Sequence, residues 1–393
     1  MVQKKSHIET SLIHTDSQPI NDFGSLTTPI FQTSTFAFST AAQGAARFKG
    51  EEEGYIYSRL ANPTVRVLED RIAALEGGEK GLAFASGMAA ISSVLLALTS
   101  SGDHIVCTNG LYGCTYGLLT LLQDKYKVGH SFCAMTSEEE LRKQIQPNTT
   151  CIFIETPINP TMRAIDLHMA ARIAKNYDIP VVVDNTFSTP YLQRPLDCGC
   201  EVVVHSATKY IGGHGDVVAG LVVGKSEFIG MLAKTTQKDI GGILSPFDAW
   251  LLIRGLKTMH IRMDRHCFNA LKVSERLQDH PRVQQVYFPG SARYPDYDIV
   301  KQQMSQGGGI LSFEVKGNRE DAERVLDQLK LIKIAVSLGD AETLIQLPAT
   351  MTHSTIPPLE RERMGISDTL LRLSVGLEHW EDIWKDLNQA LLA

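Results

Sequence analysis

The sequence predicts an α/β fold in which helices cover both faces of a mostly parallel sheet in a large domain. Short apolar runs alternate with helical patterns over most of the chain, which is the signature of that arrangement. After about residue 255 longer helices separate the strand candidates, and this change indicates a smaller α+β domain. We therefore divide the 393 residues into an arm (1–60), a large domain (61–255) and a C-terminal domain (256–393).

The first sixty residues are rich in Ser, Thr, Gly and Gln and show weak periodicity, so they predict an extended arm rather than a packed domain. Order begins at Asn62-Pro63, because Asn is a good N-cap and Pro suits the first helical turn. Apolar residues follow at helical spacing until Gly77-Gly78, which ends the helix.

Strands are predicted wherever a short apolar run stands between two helical patterns. In the large domain these runs are 81–85, 104–107, 151–155, 180–184, 201–205 and 220–224. A helical pattern such as 167–177 fills most of the gaps between them. In the C-terminal domain the predicted strands are 284–288, 309–315, 334–336 and 371–375.

Composition excludes several classes of protein. The formal net charge of −6 gives no electrostatic reason to expect a nucleic acid or an anionic membrane as partner. The seven cysteines are scattered and lack zinc-site spacing, which indicates a reducing compartment and no metal centre. The N-terminus has no apolar stretch of the signal-peptide kind, so we expect a cytoplasmic protein.

Polar groups follow three of the predicted strands at their carboxyl ends, where ligands bind in open α/β sheets. These groups are Lys209, Asp184 and the stretch Ser86-Gly87-Met88. Each has an ordinary explanation on its own: a solvated lysine, a capping carboxylate and a turn. Their joint occurrence in one α/β domain favours a shared role.

Pyridoxal phosphate needs these three groups together, because it requires a lysine amine for a Schiff base, an anionic partner for the pyridine nitrogen, and a phosphate cradle. Lys209 would supply the amine and Asp184 the anion. The helix that starts after Ser86 offers free amides to the phosphate. The glycine-rich segment 212–216 lacks dinucleotide-binding spacing and is expected to be a tight loop.

Further motifs occur in a fixed order over nearly the whole chain, at 55–59, 62–64, 86–90, 112–113, 159–160, 184–186, 205–210, 337–339 and 372–376. This set resembles the Cys/Met-metabolism family of pyridoxal-phosphate enzymes, which have fold type I. The resemblance implies a seven-stranded type of sheet, a small amino-acid substrate, and a homotetramer built from two active-site dimers.

The resemblance also implies roles at the cofactor. Lys209 would hold pyridoxal phosphate and shuttle protons, Asp184 would pair with its pyridine nitrogen, and Tyr112 would stack on the ring and protonate the departing thiolate. The residues that would bind the phosphate are Ser86, Gly87, Met88, Ser206 and Thr208, with Tyr57 and Arg59 of a neighbouring subunit.

At the substrate, the resemblance implies that Arg372 clamps the α-carboxylate, with Ser337 and Asn159 nearby. Arginine suits this task because its guanidinium binds a carboxylate through two parallel hydrogen bonds.

Residues near the distal end of the substrate distinguish the members of the family. Those that cleave cystathionine typically carry Glu at the positions matching Ile56 and Val336, which would pair with its second ammonium group; both are apolar here. Cys114 and the pair Lys238-Asp239 match the members that cleave methionine. A buried small hydrophobe and a solvated ion pair are the ordinary explanations of these features.

The resemblance therefore implies α,γ-elimination of L-methionine, and also of homocysteine, with 2-oxobutanoate and ammonia as shared products. Cleavage of cystathionine and sulfhydrylation of O-acetylhomoserine are the alternatives within the family. A catalytically silent relative kept for binding or regulation is a further alternative, although the predicted cofactor and substrate residues are all present.

Overall fold

The computed structural model describes residues 6–14, 23–354 and 356–393, apart from the side chain of Glu360. The predicted arm therefore lies partly outside the described residues. Within its described part, the expectation of an extended chain is wrong for two helical segments, Ile8–Ile13 and Ala41–Lys49. The second is helical because the Thr40 side chain caps its first turn and Gly50, at a φ of 75°, ends it.

The helices are numbered in chain order. They are α1 (Ile8–Ile13), α2 (Ala41–Lys49), α3 (Pro63–Glu76), α4 (Gly87–Leu98), α5 (Gly113–Tyr126), α6 (Glu138–Gln144), α7 (Leu167–Lys175), α8 (Thr189–Leu192), α9 (Ser226–Lys234), α10 (Thr236–Ile240), α11 (Pro246–Leu256), α12 (Met259–Gln278), α13 (Tyr297–Gln303), α14 (Arg319–Asp327), α15 (Pro358–Arg363) and α16 (Trp380–Leu392). A short 3-10 helix covers Pro195–Cys198.

The strands form two sheets. They are β1 (Lys80–Phe84), β2 (His104–Thr108), β3 (Gly129–Cys133), β4 (Thr149–Glu155), β5 (Val181–Asp184), β6 (Val202–Ser206), β7 (Gly220–Gly224), β8 (Val283–Tyr287), β9 (Ile310–Val315), β10 (Lys333–Ile334), β11 (Leu344–Gln346) and β12 (Leu370–Ser374). The first sheet has seven strands in the order β1-β7-β6-β5-β4-β2-β3, and the second has five in the order β10-β11-β12-β9-β8.

The seven-stranded sheet confirms the predicted fold class. Strands β2 to β6 pair in parallel, while β7 runs antiparallel between β1 and β6. Because β1 is thereby parallel to β6, the carboxyl ends of β1, β4, β5 and β6 lie at the same edge of the sheet. All six strands predicted for the large domain are present, whereas β3 was not predicted.

The smaller sheet is antiparallel except for the β10–β11 pair. Of the four strands predicted there, 334–336 is mostly irregular, since β10 ends at Ile334. Helix α12 contributes apolar side chains both to the core of the large sheet, through Met259 and Met263, and to that of the small sheet, through Val273 and Leu277. The helix thus connects the two layers that meet at the pocket described below.

Helix α3 confirms the predicted start at Asn62, whose side chain accepts a hydrogen bond from the backbone amide of Thr64. Leu12 of α1 is fully buried in the same core cluster as Leu68 and Ile72 of α3. Within the described residues, no helix is both long and apolar enough to cross a membrane.

Candidate active site

A cavity of about 270 Å³ lies at the carboxyl ends of the parallel strands of the large sheet. Residues from the small-sheet layer close it on the other side. It is lined by Ser86, Gly87, Met88, Ile91, Tyr112, Glu155, Asn159, Asp184, Thr186, Phe187, Ser206, Thr208, Lys209, Val218, Val336, Leu338 and Arg372. The structure thus brings together most of the residues that the sequence nominates.

Lys209 follows β6 by three residues and is held by the segment that precedes β11. Its Nζ donates a hydrogen bond to Ser337 Oγ at 3.1 Å. Gly339 has a φ of 77°, and a Cβ there would lie 2.7 Å from the backbone nitrogen of Tyr210, so only glycine lets this loop close over Lys209. Burial, and then the nearby Arg372 guanidinium, lower the pKa of the Lys209 amine. A larger fraction of the amine is therefore neutral and nucleophilic than in water.

Asp184 is the last residue of β5, and its side chain is held by the turn that follows. The backbone amide of Thr186 donates to Asp184 Oδ1 at 3.0 Å, while Thr186 Oγ1 accepts from the backbone amide of Ser206 at 2.8 Å. Burial raises the pKa of Asp184, and the hydrogen bonds from Thr186 oppose that rise. A cationic N–H group in the pocket would stabilise the carboxylate further.

Helix α4 points its N-terminus into the cavity. Ser86 caps it by accepting from the backbone amide of Ala89 at 3.0 Å, and the internal hydrogen bonds of the helix begin with Ala90. A Cβ on Gly87 would lie 2.8 Å from Ser206 Cβ, so glycine is required where α4 meets the end of β6. The amides of Gly87 and Met88 precede the first internal hydrogen bond and suit an anion.

Tyr112 is the exposed residue at the start of α5, on the rim of the cavity. A hydrogen bond with Cys114, and then burial of the hydroxyl, raise the pKa of Tyr112 to about 12. Cys114 is itself exposed rather than a buried small hydrophobe, and it contacts the tyrosine without lining the cavity. The phenol therefore keeps its proton at neutral pH.

Arg372 is 2% exposed and its guanidinium is held by hydrogen bonds alone. Nη1 donates to Asn159 Oδ1 at 2.9 Å, and Nη2 donates to the backbone oxygen of Ser337 at 2.9 Å and to that of Val336 at 3.3 Å. Burial lowers the pKa of Arg372 to about 10, and no carboxylate among the described residues forms an ion pair with it. A buried cation without an ion-pair partner suits an incoming carboxylate.

Five nominated residues lie elsewhere. Ile56, Tyr57 and Arg59 line a second cavity, and Arg59 donates from Nη1 to the backbone oxygen of Lys238 at 2.6 Å. Lys238 also forms an exposed ion pair with Asp239 at 3.4 Å, which matches the ordinary explanation of this pair. Within one chain, these residues do not line the cavity of Lys209.

Sequence reasoning missed several lining residues. Glu155 ends β4 and is 5% exposed; burial, and then the Asp184 carboxylate, raise its pKa to about 8. It ends a strand at the same edge as Asp184, and this signal was available from the sequence. Thr186 and Leu338 lie within the motifs 184–186 and 337–339, but neither was given a role. Phe187 had no comparable signal, because only the folded chain brings it to the cavity.

The cavity fits pyridoxal phosphate on three independent observations. The buried Asp184 carboxylate suits a protonated ring nitrogen, the free amides at the start of α4 suit a phosphate, and the Lys209 amine has a lowered pKa. With the seven-stranded mixed sheet, these features define a pyridoxal-phosphate-dependent enzyme of fold type I.

The chain belongs to the Cys/Met metabolism PLP-dependent enzyme family, which matches residues 9–392. It is 50% identical to the L-methionine γ-lyase of Fusobacterium nucleatum subsp. nucleatum over all of this chain and 99% of that protein. It is 45% identical to the cystathionine γ-lyase of Bacillus subtilis over 98% of both chains. The crystal structure of metB from Corynebacterium glutamicum superposes with a TM-score of 0.93 at 40% identity, covering 98% of both chains.

Proposed function

We propose that this enzyme is a methionine γ-lyase, which converts L-methionine to methanethiol, 2-oxobutanoate and ammonia by α,γ-elimination. The observation that carries the proposal is the apolar side chain of Val336 beside the carboxylate-binding Arg372. A methylthio group prefers an apolar wall, whereas a second ammonium group would need an anion there. The 50% identity to an L-methionine γ-lyase supports the same assignment.

The residues of this chain would divide the work as follows. Arg372, with Ser337 and Asn159, binds the α-carboxylate, and Asp184 holds the proton on the ring nitrogen. Pyridoxal phosphate, when bound, supplies the electron sink for the carbanion. The Lys209 amine removes the Cα proton as general base, releases that proton, and then removes a Cβ proton.

Departure of the thiolate needs an acid, and we assign that role to Tyr112 on the rim of the cavity. Its raised pKa of about 12 means that the phenol is protonated at neutral pH. The phenol therefore still carries the proton that it can donate when the carbon–sulfur bond breaks. Elimination from homocysteine by the same steps would release hydrogen sulfide.

We propose that the active site is shared between subunits of a cytoplasmic homotetramer made of two active-site dimers. Support comes from Tyr57 and Arg59, which lie in a separate cavity of their own chain and would complete the phosphate site of a neighbour. Mixing Lys209→Ala subunits with Arg59→Ala subunits should restore up to about a quarter of the activity, since some sites would then contain both native residues. No recovery in mixed tetramers would contradict a shared site.

Formation of 2-oxobutanoate from methionine, homocysteine and cystathionine, measured side by side on the purified holoenzyme, tests the assignment. We expect methionine and homocysteine to exceed cystathionine in kcat/KM. A clear preference for cystathionine would identify the enzyme as a cystathionine γ-lyase instead. Homocysteine formed from O-acetylhomoserine and sulfide would point to the sulfhydrylase.

A further inference from the structure

Glu155 has no part in the proposed chemistry, yet it is a buried carboxyl group that lines the cavity. Both of its oxygens are used, each by a different segment of the chain. Oε2 accepts from the backbone amide of Tyr112 at 3.0 Å, and Oε1 accepts from the backbone amide of Asn159 at 2.9 Å. One carboxylate therefore connects the end of β4 to the start of α5 and to the loop at Asn159.

These two segments carry groups that act on different parts of the substrate. Tyr112 is the N-cap residue of α5, and Glu155 accepts the hydrogen bond of its backbone amide. Asn159 in turn binds Arg372, because its Oδ1 accepts a hydrogen bond from Arg372 Nη1 at 2.9 Å. Tyr112 is thus connected to Arg372 through the side chain of Glu155 and through Asn159.

The cost of keeping an acid here supports a functional reason for it. Glu155 is almost fully buried and lies close to the Asp184 carboxylate, and both conditions disfavour its charged form. Strongly perturbed carboxyl groups of this kind concentrate at functional sites. A hydrogen-bonding role in the fold alone would not require a second carboxyl group beside Asp184.

We propose that Glu155 is a positioning residue that fixes the Tyr112 ring and hydroxyl relative to the carboxylate-binding Arg372. The inference rests on the proposed function for the roles of those two residues. A substrate anchored at its carboxylate by Arg372 then presents its leaving sulfur to Tyr112 without further adjustment. Misplacement of a reacting group by about 1 Å costs on the order of 100-fold in rate.

The variant Glu155→Gln tests the carboxylate itself. An amide has one acceptor oxygen, and its NH₂ group can only donate, so one of the two backbone amides must lose its partner. Glu155→Asp keeps the charge but is one methylene shorter, so it cannot span both amides. We expect Glu155→Gln to lower kcat/KM for methionine by about 10- to 100-fold.

Glu69→Gln is the matched control. Glu69 is also a buried acid that accepts a hydrogen bond from a backbone amide, that of Ala83 at 3.0 Å, and burial raises its pKa to about 7. It does not line the cavity. We expect Glu69→Gln to keep kcat/KM within about threefold of the unsubstituted enzyme, since it touches neither Tyr112 nor Arg372.

The decisive readout is the dependence on the leaving group. An S-aryl homocysteine releases an acidic thiol that needs little protonation, so the loss caused by Glu155→Gln should shrink to a few-fold with that substrate. A purely structural defect would lower the rates for both substrates by the same factor. Combining Glu155→Gln with Tyr112→Phe should also be less than additive, because the second change already removes the hydroxyl.

Equal losses for methionine and the aryl thioether, or full activity of Glu155→Gln, would overturn the inference. If Glu155→Gln fails to assemble with bound cofactor, Glu155→Asp is measured in its place, and its loss must show the same leaving-group dependence. Failure of the proposed function is separate, because the unsubstituted enzyme would then prefer another substrate. The ratio of variant to unsubstituted enzyme can be measured on that substrate as well.

Discussion

Replacement of Arg372 by lysine removes the two-pronged binding of a carboxylate while keeping a positive charge. Arg372 is 2% exposed, and its fixed contacts are to Asn159 Oδ1 and to the backbone oxygens of Ser337 and Val336. A lysine ammonium is a point charge with a shorter reach, so it cannot keep these contacts and also bind the substrate bidentately.

The expected loss follows from the value of a buried, charge-assisted contact. Removing one partner of such a pair costs 2–5 kcal/mol, and lysine keeps part of it, so we expect about 3 kcal/mol. At about 1.4 kcal/mol per factor of ten, kcat/KM for methionine should fall by on the order of 100-fold. Most of the loss should appear in KM, because the carboxylate is bound equally in the ground state and the transition state.

The assay is formation of 2-oxobutanoate or its amide from methionine and from methioninamide, which lacks the carboxylate. The unsubstituted enzyme should lose most of its kcat/KM with the amide, while Arg372→Lys should discriminate little between the two. Arg262→Lys is the matched control. Arg262 is also buried, and burial lowers its pKa to about 10. Its hydrogen bonds to described residues go to the backbone oxygens of Tyr210 and Gly255 and to the Thr258 hydroxyl.

An Arg372→Lys enzyme within threefold of the unsubstituted kcat/KM for methionine would refute this reasoning. So would an undiminished preference for methionine over methioninamide in that variant. Either result would mean that another group binds the α-carboxylate.

Three further changes test other parts of the site and fold. Gly87→Ala should weaken retention of pyridoxal phosphate by on the order of tenfold in equilibrium dialysis, because its Cβ would lie 2.8 Å from Ser206 Cβ; unchanged retention would count against the cradle. Asp184→Asn should lower kcat by on the order of 100-fold and Asp184→Glu by less, since an amide cannot hold the ring nitrogen protonated; equal rates for the two variants would contradict this. Burial raises the pKa of Glu69 from 4.5 to about 7, so the folded state binds a proton more tightly than the unfolded chain and loses up to about 3 kcal/mol of stability as pH rises from about 4.5 to 7. The Glu69→Gln variant has no proton to lose at this position. Denaturation at pH 5 and pH 8 should therefore show its free energy of unfolding, relative to that of the unsubstituted enzyme, rising with pH. The same difference at both pH values would be the contrary result.

The sequence predicted the centre of the site because parallel strands end at one edge of a sheet. Lys209 follows such a strand and Asp184 ends one, and their convergence needs only the α/β topology. Glu155 ends a strand in the same way but completes an apolar run, so it was assigned to the strand alone. Periodicity reports burial and does not distinguish a buried carboxylate that holds the backbone from one that faces a ligand.

Other parts of the structure depend on contacts between distant segments. The guanidinium of Arg372 meets Asn159 across 213 positions of sequence, and that separation carries no local signal. Strand β3 (Gly129–Cys133) was missed because its Gly, His and Ser residues interrupt any apolar run at the edge of the sheet. Helix α2 was missed because the polar composition around it masked the Thr40 cap and the Gly50 stop.

The central claim is that Lys209 holds the cofactor and moves the protons of the reaction. Borohydride reduction of the holoenzyme, followed by proteolysis and mass spectrometry, would fix pyridoxal phosphate to the lysine that binds it. We predict the modification on the peptide that contains Lys209, and its loss in a folded Lys209→Ala variant that no longer releases methanethiol. A modification on another lysine, or thiol release by Lys209→Ala at the rate of the unsubstituted enzyme, would contradict the account.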